Sequence, residues 1–307
     1  MEDGFRVRRA GPADAEAVTD LVVAFDVDEF GAPDFELDDL LADWASPGLD
    51  LERDTWLVET PEGRLAAYAI LYHDDDADVF VLPDFRGRGV GSGLLELVEA
   101  RALERSATRP EVVLGQALST VNTAGKTLLE RAGYEPTRWY WRMVIELDGA
   151  PGEPAWPEGV SVRTFDPERD SKAVHALIES AFGDNEGYRG EPYPEWFARN
   201  IDREAFDPTL WFLATARSEL VGVIVCPAYD TEGWVRQLAV ARTWRGRGIG
   251  MGLLRKAFAE FHRRGRTHVA LVVDSWNRTG ARALYERAGM TVEREHTRFE
   301  KTLRAKS

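Results

Sequence analysis

The chain has 307 residues, 44% of them hydrophobic and 30% charged, with one cysteine, Cys226, and a formal charge of −15. One cysteine excludes an intrachain disulfide, and the acid excess argues against nucleic acid as a partner, because a phosphate backbone is repelled over most of such a surface. The opening MEDGFRVRRA has no apolar run after its charges, and no stretch approaches the roughly 20 apolar residues of a membrane span, so the expectation is a cytoplasmic protein with no membrane partner.

In chain order, residues 6–9 read as a short strand, followed by an amphipathic helix that cap-type residues near Pro12 start. A variable segment expected to hold a second helix comes next. Residues 56–59 and 65–72 form an antiparallel hairpin. A strand ending at Val81 then enters a glycine-rich loop and a helix with Val90, Leu94, Leu95 and Val98 on one face. A buried strand over 112–117, a further helix and a closing hairpin complete the run. Residues 148–159, DGAPGEPAWPEG, are rich in Pro and Gly and read as a linker.

The whole order then repeats. VRRAGP from Val7 matches VRTFDP from Val162, and TWLVETPEGRLAAYAI from Thr55 matches LWFLATARSELVGVIV from Leu210, each 155 residues on. FRGRGVGSGLL from Phe85 matches WRGRGIGMGLL from Trp244 at 159, and LLERAGY from Leu128 matches LYERAGM from Leu284 at 156. Kept order and nearly constant spacing mean duplication, with domains expected at 1–150 and 151–307.

The most informative segment is LAVARTWRGRGIGMGLL, residues 238–254, where a strand runs straight into closely spaced glycines and then a helix. Gly246, Gly248 and Gly250 let the backbone approach a ligand, and the helix start offers unpaired N–H groups to an anion. Arg242, Arg245 and Arg247 add positive charge. The P-loop pattern is missing, and the glycines do not follow the dinucleotide fingerprint. R-x-x-G-x-G after LAV instead resembles the pyrophosphate loop of the GNAT superfamily of acetyl-CoA-dependent transferases. VVDSWNRTGARALYERAGM, residues 272–290, resembles the strand and helix that complete the coenzyme site in that family, and the tandem layout resembles the mycothiol synthase type.

That resemblance implies a mixed α/β fold: two tandem GNAT domains, each a mostly antiparallel sheet flanked by helices. It also implies an acetyl-CoA-dependent N-acetyltransferase with a small-molecule amine as acceptor and no metal. By resemblance, Leu238, Ala239 and Val240 hold the pantetheine arm as an added strand. Arg245, Gly246, Arg247, Gly248, Ile249, Gly250 and Met251 take the pyrophosphate, and Asn277 lies beside the coenzyme arm. Val81, Arg86, Gly87, Arg88, Gly89, Val90 and Gly91 are their counterparts in the first repeat. Tyr285 stands where many members carry a tyrosine that protonates the departing thiolate. Its face, with Ala281, Leu284 and Ala288, also fits plain core.

The family's base position, eleven residues before Arg245, holds Trp234, here taken as a substrate contact. Glu232, with Asp230 nearby, is the candidate base, against an ordinary turn carboxylate. Residues 183–197 mix Asp184, Glu186 and Tyr188 with Tyr193 and Trp196, which suits an amine on a partly apolar body and equally a mobile acidic loop. Leu129 replaces Tyr285 in the first repeat, which reads as degenerate, although Asp75 keeps an active-site reading open there. A noncatalytic acyl-CoA or small-molecule binding protein and a protein acetyltransferase are the competing functions, and monomer and homodimer both remain open.

Overall fold

The sequence repeat is a structural repeat. The computed structural model describes residues 1–304 apart from 3, 34, 47, 73–74, 107–108, 110, 184, 186–187, 189, 204, 230 and 276–279. The first repeat supplies β1 (Arg6–Arg8), α1 (Ala15–Phe30), α2 (Leu37–Trp44), the single-turn α3 (Leu51–Asp54), β2 (Thr55–Glu59) and β3 (Leu65–Leu71). It continues with β4 (Ala77–Val81), α4 (Val90–Arg105), β5 (Glu111–Ser119), α5 (Thr123–Arg131) and β6 (Glu135–Glu146). The second supplies β7 (Val160–Thr164), α6 (Pro167–Phe182), α7 (Tyr193–Asn200), β8 (Phe212–Ala216), β9 (Glu219–Val225) and β10 (Gly233–Val235). After these come β11 (Gln237–Val240), α8 (Ile249–Arg263), β12 (His268–Asp274), α9 (Ala281–Arg287) and β13 (Thr291–Arg304).

Each repeat builds a four-stranded antiparallel sheet, in the order β1-β2-β3-β4 in one and β7-β8-β9-β11 in the other. Even a register irregularity recurs, at Val58/Glu59 and at Ala214/Thr215. The central strands β3 and β9 are apolar without alternation and almost wholly buried, because both of their faces are covered. Helix α8 buries Ile249, Leu253, Leu254, Ala257, Phe258 and Phe261, the set its period required. It closes onto β9 at Gly222, where a Cβ would stand 2.8 Å from Ile249 Cγ2. Asp166 caps α6 by accepting from the N–H groups of Glu168 and Arg169, with Pro167 in the first turn. Cys226 is a buried free thiol, and no helix among the described residues is long and apolar enough to cross a membrane.

The compact units differ from a cut between 150 and 151. One consists of Met1–Arg138 with His296–Ser307, the other of Trp139–Glu295. The reason lies in the last strand of each repeat. Residues 296–304 of β13 pair antiparallel with all of β5 in the first unit, and residues 140–146 of β6 pair with all of β12 in the second. Each unit therefore contains a strand from the other repeat. The linker is not a free spacer either, since the Trp156 ring lies against Gly252 of α8.

Candidate active site

The run 233–240 reads as one strand in the sequence, but the structure divides it. Residues 233–235 pair in parallel with β12, in register Gly233–Val269 to Val235–Leu271. Residues 237–240 leave that partner and pair with β9 alone. From residue 236 onward β11 and the end of β12 diverge, so one edge of β11 presents backbone N–H and C=O groups without a strand to meet them. Leu238, Ala239 and Val240 lie on this segment. The first unit shows a similar arrangement, with a parallel bridge to Gly115 of β5 from Asp76, the residue just ahead of β4, and no ladder between β4 and β5 among the described residues.

The open strand leads into the head of α8. Gly248 is the N-cap at φ 86°, in the left-handed region that favours glycine, and no side chain caps the first amides. Gly252 donates to the Gly248 carbonyl at 2.9 Å, so the helical ladder begins there and the amides of residues 249–251 precede it. Nothing lies within 4 Å of where Cβ atoms would stand on Gly246 and Gly248. This is an exposed cradle of N–H groups at the positive end of a fifteen-residue helix, suited to an anion. The Arg247 guanidinium sits 4.8 Å from the centre of the Trp244 ring beside it.

Arg245 behaves differently from the sequence expectation. Its Nε donates to the Val240 carbonyl at 3.2 Å and its Nη2 to the Ala181 carbonyl of α6 at 3.1 Å. Arg86 repeats this with the Val81 carbonyl at 3.2 Å and Asp28 of α1 at 2.8 Å. These arginines brace the loop against the strand and the first helix of their repeat. The loop of the first unit, with Gly87, Gly89, Val90 and Gly91, is also covered. Met1 N lies 3.0 Å from the Cβ position of Gly89, Glu2 N donates to the Arg88 carbonyl at 3.1 Å, and Arg88 pairs with the Glu2 carboxylate at 2.8 Å.

Strand, loop and α9 meet at Gly250, where an added Cβ would lie 3.2 Å from Leu284 Cδ2 and 3.7 Å from Val240 Cγ2. Tyr285 is the next residue on α9. It is 8% exposed, and its hydroxyl makes no hydrogen bond among the described residues. Burial pushes its pKa up to about 12, so it holds its proton at neutral pH. Leu129 takes its place in the first unit and is buried. Asn277 lies outside the described residues.

Glu232 is not the free carboxylate that a base would need. Arg142 of β6 grips both of its oxygens, at 2.9 and 2.8 Å, and His268 Nε2 lies 3.5 Å away. The same arginine also bonds Glu293. Asp75 is likewise committed, to Arg105 at 3.1 Å and Arg109 at 2.7 Å, which removes the active-site reading of that residue. Trp234 stands on β10 opposite Ala270, with the Arg142 guanidinium 5.7 Å from its ring. Asp184, Glu186 and Asp230 lie outside the described residues. Tyr188 donates to Glu179 at 2.6 Å, tying its segment back to α6. Trp196 is fully buried core on α7 and Tyr193 bonds the Ser171 hydroxyl at 2.8 Å, so residues 193–200 are a packed helix rather than a mobile loop.

The first unit has a cavity of its own, about 220 Å³, between α1, α2, β3 and β4. Asp26, Asp43 and Asp78 line it with Tyr68 and Tyr72. The Tyr72 hydroxyl lies 3.2 Å from Asp43 and 3.1 Å from Asp78, and burial raises the Asp43 pKa.

The model of the Acetyltransferase (GNAT) family matches this chain twice, at residues 16–134 and 172–290, and the chain belongs to that family as a tandem acetyltransferase. It is an acyltransferase enzyme by that membership and by its relatives. The mycothiol acetyltransferase of Thermobispora bispora is 34% identical over 237 residues, which is 74% of this chain and 77% of the relative. That of Geodermatophilus obscurus is 34% identical over 257 residues, covering 76% and 78%. Among solved structures, a GCN5-related N-acetyltransferase from Sphaerobacter thermophilus is 35% identical with a TM-score of 0.87, covering 100% of this chain and 98% of that one. A tandem GNAT protein from the clavulanic acid biosynthesis pathway shares the fold, with a TM-score of 0.75 at 15% identity over 99% and 100% of the two chains.

Proposed function

We propose that the second unit transfers an acetyl group from acetyl-CoA to the primary amine of a small molecule, by direct attack within a ternary complex. The observation that carries this reading is the parting of β11 from β12 immediately ahead of an uncapped helix head. An extended amide-bearing arm fits the open edge of Leu238–Val240 as an added strand, and a diphosphate fits the amides of residues 246–251. The co-substrate supplies the activated acyl group. Residues of this chain supply position, which removes much of the barrier by itself, and a proton held on the Tyr285 hydroxyl for the leaving sulfur.

The first unit has leucine in place of the tyrosine, and Met1 and Glu2 lie on its loop. Acetyl transfer is therefore assigned to the second unit alone. Calorimetry with acetyl-CoA, followed by thiol release across a panel of primary amines, tests the reading. Tight binding with transfer to some amine supports it. Binding with no transfer would leave a coenzyme-binding protein, and no binding would sink it altogether.

A further inference from the structure

Arg236 is the only charged residue in the run 233–240, and it stands where β10 ends and β11 begins. Its backbone N–H donates to the Val225 carbonyl at 2.9 Å, which fixes it at the fork of the wedge. The half-buried guanidinium donates from Nη2 to the Tyr229 hydroxyl at 3.1 Å, and it has no ion pair with a carboxylate among the described residues. Two neighbouring arginines repel it. Arg203 stacks its guanidinium 5.8 Å from the centre of the Tyr229 ring, and Arg199, paired with Glu191, is also close enough to be felt. The loops carrying Arg203 and Tyr229 are stapled by the Ala228 N–H donating to the Ala205 carbonyl at 2.8 Å, so the cluster is built rather than incidental. Burial, reinforced by Arg203 and Arg199 and opposed by Tyr229, lowers the Arg236 pKa from its ordinary value.

A guanidinium cannot escape such a setting by losing its proton, so the cost of burying it without a carboxylate persists in the free protein. In a chain of net charge −15 a counter-ion is readily found, yet among the described residues no carboxylate pairs with Arg236. The fold does not demand the arginine. Counting from Val81 and Val240, the first repeat has Ala77 at this position, 1% exposed, and Asp78 at the position corresponding to Gln237. Its α2 carries Asp43 where α7 carries Arg199. One copy of the fold is thus acidic beside the wedge and the other basic.

We propose that Arg236, with Arg203, receives an anionic group, a carboxylate or a phosphate, carried by the acceptor amine, so that the substrate is an amine with a negative charge elsewhere in the molecule. This rests on the second unit being the site of transfer. Acetylation of β-alanine, O-phosphoethanolamine and ethanolamine by the full chain and by Arg236→Gln tests it. In the unaltered protein the two anionic amines are favoured over ethanolamine by about 10- to 100-fold in kcat/KM. The larger of the two preferences identifies the anion. In Arg236→Gln that preference disappears through KM while kcat changes little, and Arg236→Lys restores part of it. The melting temperature of Arg236→Gln stays level or rises, because an uncompensated buried charge has been removed.

Equal use of ethanolamine by the unaltered protein, or a preference that survives in Arg236→Gln, overturns the proposal. So does a loss confined to acetyl-CoA affinity. If none of the three amines is acetylated, calorimetry of β-alanine and O-phosphoethanolamine decides separately. Binding lost in Arg236→Gln upholds the anion site while transfer to these amines fails, and no binding to the unaltered protein overturns the site.

Discussion

Replacing Tyr285 by phenylalanine removes one oxygen and leaves the buried ring in place. In the free protein that hydroxyl has no hydrogen-bond partner among the described residues. The substitution should therefore shift stability by less than about 1 kcal/mol. A proton donor in the transition state is worth far more, typically a factor of about 100 or above, or roughly 2.7 kcal/mol of barrier. Thiol release at saturating acetyl-CoA and amine should thus fall at least about 100-fold, with amine KM and acetyl-CoA affinity little changed. With a pKa of about 12, Tyr285 stays protonated from pH 7 to 10 and contributes no falling limb to the rate in that window. Its folded pKa is raised above the ordinary 10.0, so its contribution to stability is complete below pH 10 and is lost as pH rises through 12. Relative to the phenylalanine variant, the unaltered protein should lose about 3 kcal/mol across that interval. A variant that turns over within threefold of the original, or one whose rate and melting temperature fall together, would show Tyr285 to be core packing and refute the reasoning.

Three further outcomes are expected. Gly248→Val forces a β-branched residue to φ 86° and fills the cradle, so acetyl-CoA affinity should drop at least about tenfold at a stability cost of about 1–2 kcal/mol. Glu232→Gln leaves Arg142 with Glu293 as its carboxylate partner, and should cost about 1–3 kcal/mol in denaturant unfolding with kcat retained; a selective loss of kcat at unchanged stability would restore Glu232 as the base. Trp196→Ala empties a fully buried site and should cost about 3–5 kcal/mol, whereas a large change in amine KM at full stability would return this residue to the acceptor pocket.

Much of this architecture was legible because duplication prints every element twice. The glycine loop, the apolar period of α8 and the β2–β3 and β8–β9 hairpins appear where two copies place them, whereas the closing hairpin expected in each repeat is a single strand, β6 in one and β13 in the other, paired with a strand of the other repeat. The parting at residue 236 was not legible, since GWVRQLAV reads as one uninterrupted strand and a change of partner leaves no trace in a hydropathy pattern. A lone arginine inside that run was the available signal. The pairing of β5 with residues 296–304 could not be read either, because sequence order does not say which strand a terminal segment will join. Trp196 and Tyr193 misled for a chemical reason: aromatic side chains among carboxylates look alike whether they line a pocket or anchor a short helix. Arg245 and Arg86 misled similarly, because a cation beside a phosphate loop reads as a ligand when its fork is occupied by carbonyl oxygens or by a neighbouring carboxylate.

The exchange of terminal strands makes the duplication hard to undo. A gene truncated to residues 1–150 would encode β5 without the segment that hydrogen-bonds along its full length, and one holding only residues 151–307 would leave β12 bare on the side that β6 normally occupies. Both fragments would expose raw strand margins prone to aggregate. Selection acting on catalysis in one copy must then preserve the other copy's framework regardless of its chemistry, and the first half remains free to acquire a different cavity while still being indispensable.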